Sequence, residues 1–238
     1  VDLYSFAPIV AVLDTAYLSL SALVSALQPW AGTSSAAVAV VLLTVLVRAV
    51  LIPVGVSQVR AERTRKRLAP ALHELRRRFG ADPAQLQRKT MELYSMENAS
   101  PLAGCLPLLF QAPVLSIVYG LFVLGSINGH GNALLDESLG GVPLGSSLLA
   151  AVSTNPTWQA LLLAVVLLAV TTTVAALSRR TAVAQTQQPP PQAMAILSWM
   201  PFVTVIVVCV VPVAAAVYLA TSTTWTLIER AILRARLR

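Results

Sequence analysis

The chain has 238 residues, 56% hydrophobic and 11% charged, with a mean hydropathy of +0.74, which excludes an ordinary soluble domain and reads as an all-α integral membrane protein. A formal charge of +7 would suit a nucleic-acid binder, yet residues 1–35 and 125–157 hold no Lys or Arg. Residues 57–100 hold ten, 178–193 two and 230–238 four. Such alternation is the positive-inside signature, so the charge records topology and not sequence-specific nucleic-acid binding. It sets a multi-pass protein in the plasma membrane, N-terminus outside and C-terminus cytoplasmic.

Within residues 1–35, Ile9, Leu13, Ala16, Tyr17, Leu20, Val24 and Leu27 fall at helical spacing, with Asp14, Ser21, Ser25 and Gln28 on a separate face. A two-faced helix of this kind lies in the interface, here the outer one. An additional span would put the cation-free terminus inside, against the charge rule. Residues 36–55 form the first span, long enough for a hydrocarbon core of about 30 Å.

That span contains Arg48, a permanent charge in an apolar run. Burying it costs about 2.5–3.5 kcal/mol on insertion scales. Arg48 sits roughly 10 Å inside the end at Gly55, close enough for its side chain to snorkel to the headgroups. Alternatively it faces a wet cavity between helices and handles a polar or acidic ligand. Thr44 lies one turn earlier on the same face.

Residues 56–100 change character. Leu68, Leu72, Leu75 and Phe79 make one apolar stripe, and Leu86, Leu93 and Met96 a second; Gly80, Asp82 and Pro83 between them read as helix stop, N-cap and first helical residue. This predicts a cytoplasmic antiparallel helical hairpin. Its cations, Arg60, Arg63, Arg67, Arg76, Arg77 and Arg78 foremost, are those of a solvated structural element, or suit anionic lipid or an RNA-rich partner.

Residues 101–124 form the second span, where Pro107 and Pro113 argue against a straight helix. Gln111 within it either bonds a freed carbonyl or lines a cavity with Arg48. Residues 125–157 read as an external loop with a short surface helix, residues 158–177 as the third span, and residues 178–193, with Gln187 to Pro191, as a flexible to polyproline-II linker. The remaining apolar region as one helix would measure about 60 Å. It would also put the last arginines outside. A reversal near Val211 and Pro212 gives two spans instead, 194–211 and 212–229, and a basic tail over 230–238.

The fifth span carries Tyr218, Thr221, Ser222, Thr223, Thr224 and Trp225. These hydroxyls either bond back to their own helix or, with Arg48, Thr44, Gln111 and Thr171 to Thr173, turn inward to a hydrophilic pocket. Neither a catalytic constellation nor a metal-ligand cluster accompanies them. His73 and His130 fall on opposite sides of the membrane, the first four spans hold no acidic residue, and Cys105 and Cys209 read as small buried side chains. Enzyme is therefore the weakest class. A small-solute transporter would want polar residues through the full depth or inverted repeats; a passive scaffold holding ribosomes by its hairpin would need no Arg48.

Several motifs together resemble the YidC/Oxa1/Alb3 membrane protein insertases, in their short bacterial form. They are the span from Thr44 through Arg48 to Pro53, the basic hairpin, and Asn98-Ala-Ser-Pro-Leu-Ala-Gly-Cys-Leu-Pro107 with Gln111-Ala-Pro113. Trp199-Met-Pro201 and Pro212 through Tyr218 complete the likeness. The resemblance implies five transmembrane helices around a hydrophilic groove open to cytoplasm and lipid. Arg48 would be the groove charge, Thr44 and Tyr218 match family positions that line the groove, and Gln111, Thr221 and Trp225 join them on the pocket reading above. The hairpin would meet substrate or ribosome first, and nascent membrane proteins, the bilayer and the Sec translocon would be partners. No cofactor or nucleotide hydrolysis is implied. Tyr218 is followed by Leu219, where many relatives carry a second aromatic.

Overall fold

The computed structural model describes residues 7–97, 106–154, 156–183 and 199–236. The start of the Asn98 to Pro107 motif, the linker prolines and Arg238 lie outside them. The described chain is mostly helical and divides into two units, Val1–Val50 with Ala112–Ile228, and Leu51–Gln111 with Glu229–Arg238.

In the first unit, α1 (Ala7–Ala31) leads through a 3-10 turn into α2 (Ser35–Val50). The apolar helical run from Pro8 to Val50 is not one rod. Gly32 takes φ +54°, which a side chain would resist, and α1 packs against α2. Leu13, Leu20 and Val24 of α1 are buried with Ala36, Ala37, Ala39 and Val40 of α2. α5 (Leu106–Leu121) stays α-helical through Pro113. After α6 (Leu148–Thr154), α7 (Trp158–Val183) continues past Leu177 through both arginines, whose charge favours a helix C-terminus. α7 packs against α8 (Met200–Val210), and the chain reverses at Val211 and Pro212 into α9 (Val213–Arg236).

Residues 125–147 are more ordered than a Gly- and Ser-rich loop suggests. β1 (Ser126–Ile127) pairs with β2 (His130–Gly131) across Asn128 and Gly129, and β3 (Ser138–Leu139) with β4 (Val142–Pro143) across Gly140 and Gly141. All four turn residues have positive φ, as two-residue hairpin turns require. Asn132 holds this segment to α5: its amide donates to the Leu121 and Leu124 carbonyls at 2.7 and 2.8 Å, and its Oδ1 accepts the Leu134 amide. Beyond β4, the Leu144 and Ser146 carbonyls accept the Ala214 and Val213 amides at 3.1 and 2.8 Å. Two N–H groups that open α9 are thereby satisfied.

The first half of α9, Val213 through Ala220, is buried on every side. Ala214, Ala215 and Ala216 carry too little bulk to keep neighbouring backbones apart, the composition expected where membrane helices approach closely. Outer surfaces are the reverse: Val38, Leu42, Leu46 and Val50 on α2, Leu162 and Val165 on α7, and Ile206 and Val210 on α8 are exposed. Among the described residues two helical stretches are long and apolar enough to cross a membrane, each with a window only 33% buried. A core helix of a soluble protein would be covered; these faces require an apolar solvent.

In the second unit, α3 (Ile52–Phe79) and α4 (Pro83–Met96) pack together. Asp82 caps α4, accepting the Ala84 and Gln85 amides at 3.0 Å, with Pro83 as first helical residue. Gly80 is the helix stop that its position suggests, without a left-handed backbone. Its φ is −61°, and it is glycine for room, because a Cβ would come 2.5 Å from the Arg76 carbonyl oxygen. Leu68 is buried, but Met96, the last residue of α4, is 82% exposed and leaves the second apolar stripe. At the base, Glu62 receives Arg234 at 2.9 Å and Arg230 at 3.6 Å, and Arg63 donates to the Arg234 carbonyl.

Asn132→Ala should cost about 2–3 kcal/mol, since it strands two carbonyls and an amide; thermal unfolding in detergent measures this as a lowered Tm. Asp82→Ala should cost about 1 kcal/mol of helix stability. Its signature is faster hydrogen exchange confined to the first turn of α4.

Candidate functional site

Arg48 sits in the last turn of α2, on the i, i+4 row Val40, Thr44, Arg48. Val40 and Thr44 are buried, and the row opposite, Leu42, Leu46 and Val50, is 44%, 62% and 71% exposed. The charged row thus turns away from the face that meets the surroundings. The guanidinium is half-buried and reaches Ser222 of α9, with Nε donating to Oγ at 3.1 Å and Nη2 donating to the same oxygen. Ser222 is fully buried. One hydroxyl oxygen, taken out of water, therefore accepts two of the donors of a fixed cation.

Ser222 stands one helical turn after Tyr218, itself 5% exposed, and one turn before half-buried Trp225. Sequence reasoning counted Ser222 among the hydroxyls without singling it out. The available signal was its i+4 spacing from Tyr218.

The other hydroxyls behave differently. Thr44 donates to the Val40 carbonyl at 2.6 Å, Thr221 to Val217 at 2.9 Å, Thr223 to Leu219, Thr224 to Ala220 and Thr226 to Ser222. Thr171 in α7 likewise bonds Leu167 and Leu168. For these side chains the bond to the parent helix holds, so their donor capacity is spent locally. The side chain of Gln111 lies outside those described, while Cys209 is half-buried against the Val205 carbonyl.

The six hairpin cations divide. Arg63 is engaged at the base of the unit, Arg67 pairs with Glu97, and Arg77 and Arg78 share Glu74, while Arg60 and Arg76 are exposed. Hydrogen bonding from Arg78, with Arg77 adding, holds the Glu74 carboxyl below its usual range; Lys89 does the same for Glu92. Exposed pairs of this kind contribute little stability.

A helical protein with lipid-facing apolar surfaces, and one cation drawn inward to a buried hydroxyl, belongs to the class of multi-helix membrane proteins that keep a polar point inside. Residues 26–238 match the 60Kd inner membrane protein family, and the chain belongs to this YidC/Oxa1/Alb3 family. It is similar to proteins named membrane protein insertase YidC. The likeness is 30% identity over 115 residues in Clostridium perfringens, 33% over 90 in Fusobacterium nucleatum and 42% over 81 in Laribacter hongkongensis. Those stretches cover 48%, 38% and 34% of this chain, and 48%, 44% and 15% of the relatives. The chain thus spans half or less of the length of these relatives.

Ser222→Ala should destabilise the protein by about 1–2 kcal/mol, because the half-buried guanidinium loses one charge-assisted acceptor. Thr44→Val, which removes only a bond to the parent helix, should stay within about 0.5 kcal/mol. Chemical unfolding in mixed micelles distinguishes the two.

Proposed function

We propose that the chain is a membrane protein insertase. It crosses the membrane five times, N-terminus outside and C-terminus cytoplasmic, around a hydrophilic groove reached from the cytoplasm and the lipid. The observation that carries this reading is the inward Arg48 on its buried Ser222 acceptor, opposite an exposed apolar row, in a chain whose residues 26–238 match the family.

In this reading a short acidic segment of a nascent membrane protein moves toward Arg48, bounded by Thr44, Gln111, Tyr218, Thr221 and Trp225. The fixed cation shortens the low-dielectric path that makes crossing costly. The back-bonded threonines spend their donors within their own helix, whereas Arg48 and Ser222 face one another across helices. The client's apolar segment then passes into lipid, and burial at about 0.8 kcal/mol per CH₂ drives release. No covalent step is needed. The hairpin, through exposed Arg60 and Arg76, meets client, ribosome or Sec translocon first.

Arg48→Ala should slow insertion of single-span clients with acidic translocated tails about tenfold, the equivalent of 1.4 kcal/mol in a barrier. Arg48→Glu should slow it further, and Arg48→Lys less. Protease protection in reconstituted liposomes is the readout, with neutral-tailed clients as reference. An Arg48→Glu protein that inserts acidic tails at the original rate refutes the role. In the same liposomes, photo-crosslinkers at Thr44 or Tyr218 should capture the client; capture of lipid alone would mean that the residues face the bilayer.

A further inference from the structure

The inner end of α7 holds a second cation that the insertase reading does not use. Arg179 lies with its guanidinium carbon 4.0 Å from the centre of the Trp199 ring, and Trp199 in turn stands 5.3 Å from Phe202. Its Nε is buried and has no hydrogen-bond partner among the described residues. Stacking occupies the face of the guanidinium and leaves the in-plane N–H edge to be satisfied.

No carboxylate occurs in the sequence between residues 138 and 228, so the helices around this arginine supply no acid to that edge. Arg180, the next residue, is exposed and adds a second positive charge. The position along α7 identifies the acceptor. From Trp158, which is 71% exposed, to Arg179 the helix rises about 31 Å, close to the hydrocarbon thickness of a bilayer. With the indole of Trp158 at one interface, Arg179 and the half-exposed Trp199 meet the other, at the depth of lipid phosphate.

We infer that Arg179, held flat by Trp199 and assisted by Arg180, is a binding site for the phosphate of a net-anionic phospholipid in the inner leaflet. It rests on α7 crossing the membrane, and not on the role of Arg48. The paired phosphate oxygens match the edge of a guanidinium, and the doubled charge without a nearby acid selects anionic over zwitterionic headgroups.

Trp199 supplies its own reporter. In vesicles, a protein retaining Trp199 as its sole tryptophan should be quenched by dibromo-phosphatidylglycerol with an apparent affinity about fivefold above that for dibromo-phosphatidylcholine, the effect of roughly one basic residue at a membrane surface. The preference should survive 0.5 M salt, which removes diffuse attraction, and Arg179→Gln should abolish it. Native mass spectrometry of the unaltered sequence should retain one more phosphatidylglycerol than Arg179→Gln does, so the result does not depend on the tryptophan substitutions. Equal quenching by the two lipids, a preference unchanged in Arg179→Gln or lost in salt, or displacement by millimolar inorganic phosphate would each overturn the site. Failure here would leave insertion by Arg48 untouched, since liposome insertion assays read that separately.

Discussion

A guanidinium cannot shed its proton, so a helix that carries one into hydrocarbon must bring an acceptor with it. In this chain one such acceptor is the Ser222 hydroxyl, fully buried on α9 and reached by two donors of Arg48. The remainder of the first unit is compatible with that contact. Arg48 and Thr44 share one row of α2, while bulky aliphatic residues take the opposite row and meet the lipid. Ser222 is held in place because the first half of α9 is buried on every side.

The same demand, that no polar group go unpaired away from water, explains the segment between α5 and α6. Asn132 closes the C-terminal carbonyls of α5, and the Leu144 and Ser146 carbonyls close the first amides of α9. A bare loop could not do this without burying unsatisfied backbone. The two hairpins provide the geometry, and Ile127, Leu134, Val142 and Leu144 supply the apolar underside that fixes them to the helices.

Much of this was legible from residues. Asp82 with Pro83 marked the start of α4, Pro212 marked the reversal before α9, and the familial motifs led to the family that residues 26–238 match. The hairpins were missed although Asn128-Gly129 and Gly140-Gly141 are the usual two-residue turns. Strands of two residues are too short to show alternation, so composition dominated the reading. The threonines were harder. A hydroxyl in a membrane helix has the same sequence signature whether it bonds its own carbonyl or a partner, and only coordinates separate Thr221 from Ser222. Gly80 shows that a correctly placed glycine can serve space instead of handedness.

Stiffness is distributed unevenly along α9. Its first half is wedged between neighbours by a run of alanines and tied by two amides to the segment before α6. In its second half Thr221, Thr223, Thr224 and Thr226 each draw on a carbonyl already used by the helix. Shared carbonyls lengthen the main-chain bonds they serve and ease bending. The helix therefore acts as a cantilever, rooted at its N-terminal end, with its compliance concentrated where Arg48 is attached.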